Sequence, residues 1–271
     1  MNRTTGSTIF NTLYWLFPVL LTGLVFFDES KTAIYGIIIT KKKRCVYLCS
    51  KALSVFFVIL KAVSKKIGYT QVLDNINCLF LGGKIYGIVG YNGSGKTMLL
   101  RTIAGLVIPT SGTIDFDGKR LHRDISIPPS LGLIIEKPEF LSYMTGLENL
   151  KQLAAINKKV SENTIKEYMR LFELDPESKQ TMRRYSLGMK QKIGIIQALM
   201  ENPDILILDE PFNALDEKSV LLLRKLLCQR RDEGKLIIVT SHHKDDIEAI
   251  CDEVIVMQDG TLKKPNDEGK Q

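Results

Sequence analysis

Gly90-Tyr91-Asn92-Gly93-Ser94-Gly95-Lys96-Thr97 matches the pattern G-x-x-x-x-G-K-[ST] in full. The apolar run KIYGIV precedes it, and a helical stretch, Met98–Ala104, follows. Few local patterns constrain a chain as tightly, because this one dictates a strand, a curled loop and a helix start in that order. The glycines let successive backbone N–H groups converge on one anion, and the helix N-terminus adds its positive end. Lys96 is expected to reach the β- and γ-phosphates of a nucleoside triphosphate, and the Thr97 hydroxyl to ligate Mg²⁺. All eight residues are therefore candidate nucleotide-binding residues.

The surrounding pattern agrees with an α/β fold. Short β-rich runs recur at Ile85–Val89, Thr113–Phe116, Leu131–Ile135, Ile205–Leu208, Leu236–Thr240 and Glu253–Met257, with helical stretches between them. ILIL and LIIVT are solidly apolar, as strands covered on both faces of a parallel sheet must be. Asp117-Gly118 and Asp259-Gly260 read as hairpin turns. Residues 141–185 are helical in character. Thr145 with Glu148 makes a capping box ahead of Leu147–Ala155, and Ile165, Met169 and Phe172 recur at helical spacing after Ser161. Ala52–Leu60 reads as a strand entering the globular part. No C-x-x-C pair occurs among Cys45, Cys49, Cys78, Cys228 and Cys251, and no His stands near the first two. The thiols read as reduced, and no cysteine metal cluster is expected.

A second chemical site is Ile205-Leu206-Ile207-Leu208-Asp209-Glu210. An apolar strand delivers two acids at its C-terminal edge, where ligands bind in open α/β sheets. Side chains that alternate along a strand give the acids separate tasks: Asp209 for the Mg²⁺ shell, Glu210 as general base toward an attacking water.

Three further motifs follow in order. Tyr185-Ser186-Leu187-Gly188-Met189 lies upstream of Asp209, Asn213-Ala214-Leu215-Asp216 directly after Glu210, and Thr240-Ser241-His242 after LIIVT. Together with the cradle these resemble the motif set of ATP-binding cassette (ABC) proteins over residues 54–262: P-loop, signature, acidic strand, D-loop and switch histidine. The signature departs from L-S-G-G-Q at Tyr185, Leu187 and Met189. The resemblance implies a P-loop NTPase of ABC type: a mixed-sheet core, an antiparallel β subdomain and a helical subdomain. It implies ATP and Mg²⁺ as cofactors, ATP hydrolysis as the reaction, and a head-to-tail pair of cassettes, as a homodimer or with a close homologue. In that pair Ser186 and Gly188 would meet the partner's γ-phosphate, Asp216 would belong to the D-loop, and His242 would orient the attacking water, with His243 as its neighbour in register. The family's glutamine loop falls near Leu133–Pro138, where this chain carries Glu136 as a further Mg²⁺ or water ligand. That substitution and Y-S-L-G-M resemble the bacitracin-resistance and lantibiotic-immunity branch of bacterial exporters. The adenine-stacking aromatic is expected near Ile67, and Tyr69 is the candidate. Phe140, Leu141, Tyr143 and Met144 would face an integral membrane permease, at the cytoplasmic side of the cell membrane.

The net charge of +7 does not point to nucleic acid. Seven Lys and Arg against two acids fall within residues 1–53, and the remainder is nearly balanced. Residues 9–27, IFNTLYWLFPVLLTGLVFF, are free of charge and long enough for one transmembrane helix, since about 20 helical residues cross the ~30 Å hydrocarbon core. A cleaved signal peptide would need small residues near Leu24–Phe27, which are absent. The basic run Lys41–Arg44 then sets the following side as cytoplasmic. The other reading of residues 1–53 is a stretch upstream of the true translation start. Residues 54–262 form the expected cassette and 263–271 a polar tail. Two other function classes compete with this reading. A non-transport ABC ATPase acting on ribosomes or DNA would usually carry a second cassette or a long coiled-coil insertion, and the interval from Lys96 to Asp209 has room for neither. A binding module without turnover conflicts with the presence of Lys96, Asp209, Glu210 and His242.

Overall fold

A computed structural model of the chain describes residues 56–136, 138–242 and 244–263. The candidate span 9–27, the basic run, His243 and the tail after Lys263 lie outside these. The described residues belong to one compact unit, Leu53–Gln271.

Among them, ten strands form two sheets. β1 (Phe57–Ile67), β2 (Thr70–Leu81), β4 (Ser111–Phe116) and β5 (Lys119–Arg120) make an antiparallel sheet in the order β2-β1-β4-β5. β3 (Lys84–Val89), β6 (Leu131–Ile134), β7 (Ile205–Leu208), β8 (Leu236–Thr240), β9 (Glu253–Gln258) and β10 (Thr261–Lys263) make a second, in the order β10-β9-β3-β8-β7-β6. All of its pairings are parallel except β9 with β10. Six α-helices accompany these strands: α1 (Lys96–Ile103), α2 (Gly146–Asn157), α3 (Glu162–Leu171), α4 (Leu187–Leu199), α5 (Glu217–Asp232) and α6 (Lys244–Ile250).

Every residue of β7 and β8 is buried. Their side chains alternate between two apolar clusters, because successive strand residues face opposite sides. Ile205, Ile207, Leu236 and Ile238 join Leu99, Leu100 and Ile103 of α1 and the inner face of the antiparallel sheet. Leu206, Leu208, Ile237 and Val239 join Leu150, Ile165, Ile193 and Leu223 from α2, α3, α4 and α5. Removing such a side chain to Ala costs about 2–5 kcal/mol. The central sheet is thus a filled layer that carries its C-terminal strand ends as a fixed edge for the site.

Several boundaries follow the sequence closely. Both expected hairpins form, with Asp117 and Gly118 at φ 50° and 83° and Asp259 and Gly260 at 47° and 75°. Two consecutive positive φ values are what such two-residue turns require. Thr145 Oγ1 accepts the Glu148 N–H at 3.2 Å, and the Glu148 carboxylate accepts the Thr145 N–H at 2.7 Å, which closes the capping box of α2. Elsewhere the structure differs. The entering strand occupies Phe57–Ile67 and so runs past the expected end at Leu60, residues 52–55 of the expected strand lying outside the described residues, and β2 has no counterpart in the sequence pattern. Its exposed face bears Asp74, Asn75 and Asn77, which dilute the apolar alternation. The interval 141–185 is helical only in part, over α2, α3 and a short 3₁₀ turn at Met182–Arg184.

Candidate functional site

The site assembles where β3, β7 and β8 end. After β3 the loop 90–95 curls and α1 begins at Lys96, two residues earlier than the apolar pattern suggested. Gly95 has φ 108°, a left-handed value open to glycine at little cost, and a Cβ there would lie 2.9 Å from the Val72 carbonyl oxygen. No side chain caps α1, and its first turn holds no acid. The unsatisfied amides and the positive helix end therefore face the cavity. Lys96 Nζ donates to the Gly90 and Tyr91 carbonyls at 2.7 and 3.2 Å, which folds the ammonium under the loop. Ser94 Oγ is buried there without a hydrogen-bond partner. Outside the loop, Tyr91 bonds to Asp259 of the β9–β10 turn, and that carboxylate raises the phenol's pKa.

Opposite the cradle lie the two acids. β7 ends at Leu208, so Asp209 and Glu210 stand just past the strand and not within it. Thr97 Oγ1 donates to Asp209 Oδ2 at 2.7 Å, and Thr240 Oγ1 donates to Asp209 Oδ1 at 2.6 Å. The Glu210 N–H in turn donates to Thr240 Oγ1 at 2.9 Å. Thr240 thus joins both acids. Sequence reasoning noted it only as part of a motif, although a threonine closing a wholly apolar buried strand requires a partner. Glu210 adopts φ 50°, in the left-handed region, a conformation worth roughly 1–3 kcal/mol of strain for a non-glycine residue. Its Oε2 accepts the His242 N–H at 3.2 Å, and His242 Nε2 lies 2.9 Å from Oε1. Oε1 is buried and has no aligned hydrogen bond, so its neighbour is the His242 ring nitrogen. Burial pushes the Glu210 carboxyl above its ordinary pKa and Asp209 adds to the shift, while His242 and Lys96 oppose it. The upward direction favours proton acceptance by this carboxylate over that of an ordinary, fully solvated one.

Thr97 and Asp209 offer a hydroxyl and a carboxylate at one point. No group of three or more His, Cys, Asp or Glu suited to a metal occurs among the described residues. This sparse oxygen set fits Mg²⁺, which keeps water and substrate phosphates as its other ligands, and does not fit a closed protein cage.

A cavity of about 590 Å³ is lined by Asn92, Gly93, Gly95, Lys96, Thr97, Glu136, Asp209, Glu210 and His242, and also by Val72, Leu187, Gln191, Asn213 and Ala214. Glu136 lines the same cavity as Thr97 and Asp209, and its carboxylate is 2.7 Å from an Arg101 guanidinium nitrogen. Tyr69 sits in the β1–β2 turn, fully exposed, and is not among the lining residues; Val72 occupies the wall on that side. Ser186 caps α4, its Oγ accepting the Met189 N–H at 3.2 Å, which leaves the hydroxyl hydrogen available. Gly188 stands against the D-loop, where a Cβ would be 2.5 Å from the Ala214 carbonyl oxygen. Asp216 caps α5 through the Ser219 N–H, and its carboxyl is held far below the usual range by Lys192, 2.7 Å away.

The ABC transporter family model matches residues 73–213. The chain is 48% identical over 201 residues to the uncharacterized ABC transporter ATP-binding protein YybJ of Bacillus subtilis, covering 74% of this chain and 92% of that protein. It is 39% identical over 202 residues to the bacitracin transport ATP-binding protein BcrA of Enterococcus faecalis, covering 74% of this chain and 66% of that protein. Among solved structures, the dimeric post-hydrolysis state of the ATP-binding cassette MJ0796, bound to ADP and Pi, superposes with a TM-score of 0.67 at 27% identity, over 76% of this chain and 98% of that one. With the cradle, the paired acids and the mixed sheet in the family's arrangement, the chain belongs to the ABC transporter family as an ATP-binding, ATP-hydrolysing protein.

Proposed function

We propose that the chain is the ATPase subunit of a bacterial exporter of antimicrobial peptides. It works at the cytoplasmic face of the membrane, paired with a second cassette and driving a separate integral membrane permease. The observation that carries this reading is the hydrogen-bonded run from Thr97 through Asp209 and Thr240 to Glu210, with His242 bonded to the Glu210 carboxylate, facing the open start of α1. The cargo class is supported by the likeness to BcrA.

In this reading Lys96 and the amides of Gly93–Thr97 bind the phosphates. Thr97 and Asp209 would hold Mg²⁺, which would supply charge neutralisation for the transferred phosphoryl group. Glu210 accepts the proton of the attacking water, and His242, 2.9 Å from the same carboxylate, orients that water. Ser186 and Gly188 meet the second subunit's ATP, and Asp216 lies at the same interface. Glu136 contacts water at the rim. Leu141 and Tyr143, both exposed, belong to the permease-facing surface, beside the partly buried Phe140 and Met144. No helix among the described residues is long and apolar enough to cross a membrane. The permease supplies the passage in this reading.

The test is Glu210→Gln. ATP affinity should stay within about threefold while turnover falls about 10²–10⁴-fold, the range expected for loss of a general base. Unchanged turnover would remove Glu210 from that role.

A further inference from the structure

One face of α4 touches the loop after Glu210 at its start, middle and end. Gln191 Nε2 donates to the Pro211 carbonyl at 3.0 Å and approaches the Glu210 carbonyl at 3.5 Å. Gly188 abuts the Ala214 carbonyl, and Lys192 pairs with Asp216 at 2.7 Å. Positions 188, 191 and 192 are three and four apart, so they share a helix face. Gln191 and Lys192 are each only 7% exposed, an unusual burial for such side chains unless they are paired. Between these anchors, Glu210 and Ala214 hold left-handed φ values of 50° and 61°. Non-glycine residues keep such conformations only where the surroundings over-determine them. The loop's own turns add only two long bonds, Asn213 N–H to Glu210 O and Leu215 N–H to Phe212 O, both 3.3 Å.

We infer that Gln191 and Lys192 are positioning residues for hydrolysis: they fasten the 210–216 loop to α4, so that a displacement of the helix carrying Ser186 is passed to Glu210 within the same subunit. The inference rests on the role of Glu210 in the proposed function. It gives Gln191 a task distinct from holding nucleotide, although its side chain lines the cavity.

ATPase kinetics of the full-length chain test it. Gln191→Leu should lower kcat about tenfold or more with KM and ATP affinity within about threefold, the pattern of a lost contribution to the chemical step. Lys192→Met should lower kcat about fivefold, and Lys192→Arg, which keeps the charge pair, should restore it to within about twofold of the native chain. If Gln191→Leu does not fold, Gln191→Glu carries the same expectation, because it removes the donor and keeps the shape. Native kcat in Gln191→Leu or in Lys192→Met would overturn the inference for that residue, and in both would overturn it altogether. So would a large rise in KM at native kcat, which would make Gln191 a nucleotide ligand. Glu210→Gln, measured alongside, separates the two claims. Full turnover there defeats the base assignment itself. An inactive Glu210→Gln beside a fully active Gln191→Leu defeats only the positioning role.

Discussion

α1 and α4 both start at motif residues, yet their N-termini are built in opposite ways. At α1 the cap is Gly95, no side chain meets the first amides, and the surrounding loop wraps Lys96 beneath it. At α4 the cap is Ser186, whose hydroxyl takes the Met189 amide, and Ser186 and Leu187 stand exposed. An open helix start inside a concave loop is an anion site complete in one chain. A capped start on an exposed face has already paired its amide with its own side chain. In the proposed function one chain therefore carries a phosphate cradle of its own and a separate surface for a second chain's nucleotide, and the two should respond differently to mutation.

The sharpest break of that comparison is Lys96→Ala. Removing the buried ammonium should weaken ATP binding about 100-fold or more, in line with the loss of a charge-assisted phosphate contact. Equilibrium titration with a fluorescent ATP analogue checks it. Ser186→Arg should do the reverse: affinity for the first ATP stays within about threefold, while turnover falls about tenfold or more as a bulky charge meets the partner's site. Loss of ATP binding to the Ser186→Arg monomer would erase the distinction between the two helix starts. Thr240→Val has a smaller effect. It breaks the bonds to Asp209 and from the Glu210 amide at once, and stranding those buried groups should cost about 1–3 kcal/mol of stability by denaturant unfolding, with turnover lowered. The smallest is Arg101→Ala. It parts an ion pair with Glu136 whose side chains are 34% and 60% exposed, and such pairs contribute about 0–1 kcal/mol. A larger loss there would mean that Glu136 takes more of the cradle's support than its exposure suggests.

The same contrast governs what could be read from sequence. β7 and β8 have the ends their apolar runs implied, because strands buried on both faces admit no polar residue inside and end where one becomes useful. The cradle was legible because all its parts are contiguous. β2 was not, since four of its twelve residues are exposed and Asn75 and Asn77 interrupt the alternation. The roles of Thr240 and Gln191 are not legible for another reason: their hydrogen-bond partners lie far along the chain, Thr240 at 31 positions from Asp209 and Gln191 at 20 from Pro211. Tyr69 was chosen by counting back from the cradle, and the hairpin turn at Gly68-Tyr69 carries it outward while Val72 turns toward the cavity.

In the proposed function the α4 start completes a second chain's nucleotide site. Light scattering of the Glu210→Gln chain with saturating ATP measures this pairing. The expected mass doubles on adding ATP and stays at one chain when Ser186→Arg is added to the same background. A single-chain mass with ATP bound, or a dimer indifferent to Ser186→Arg, would contradict it.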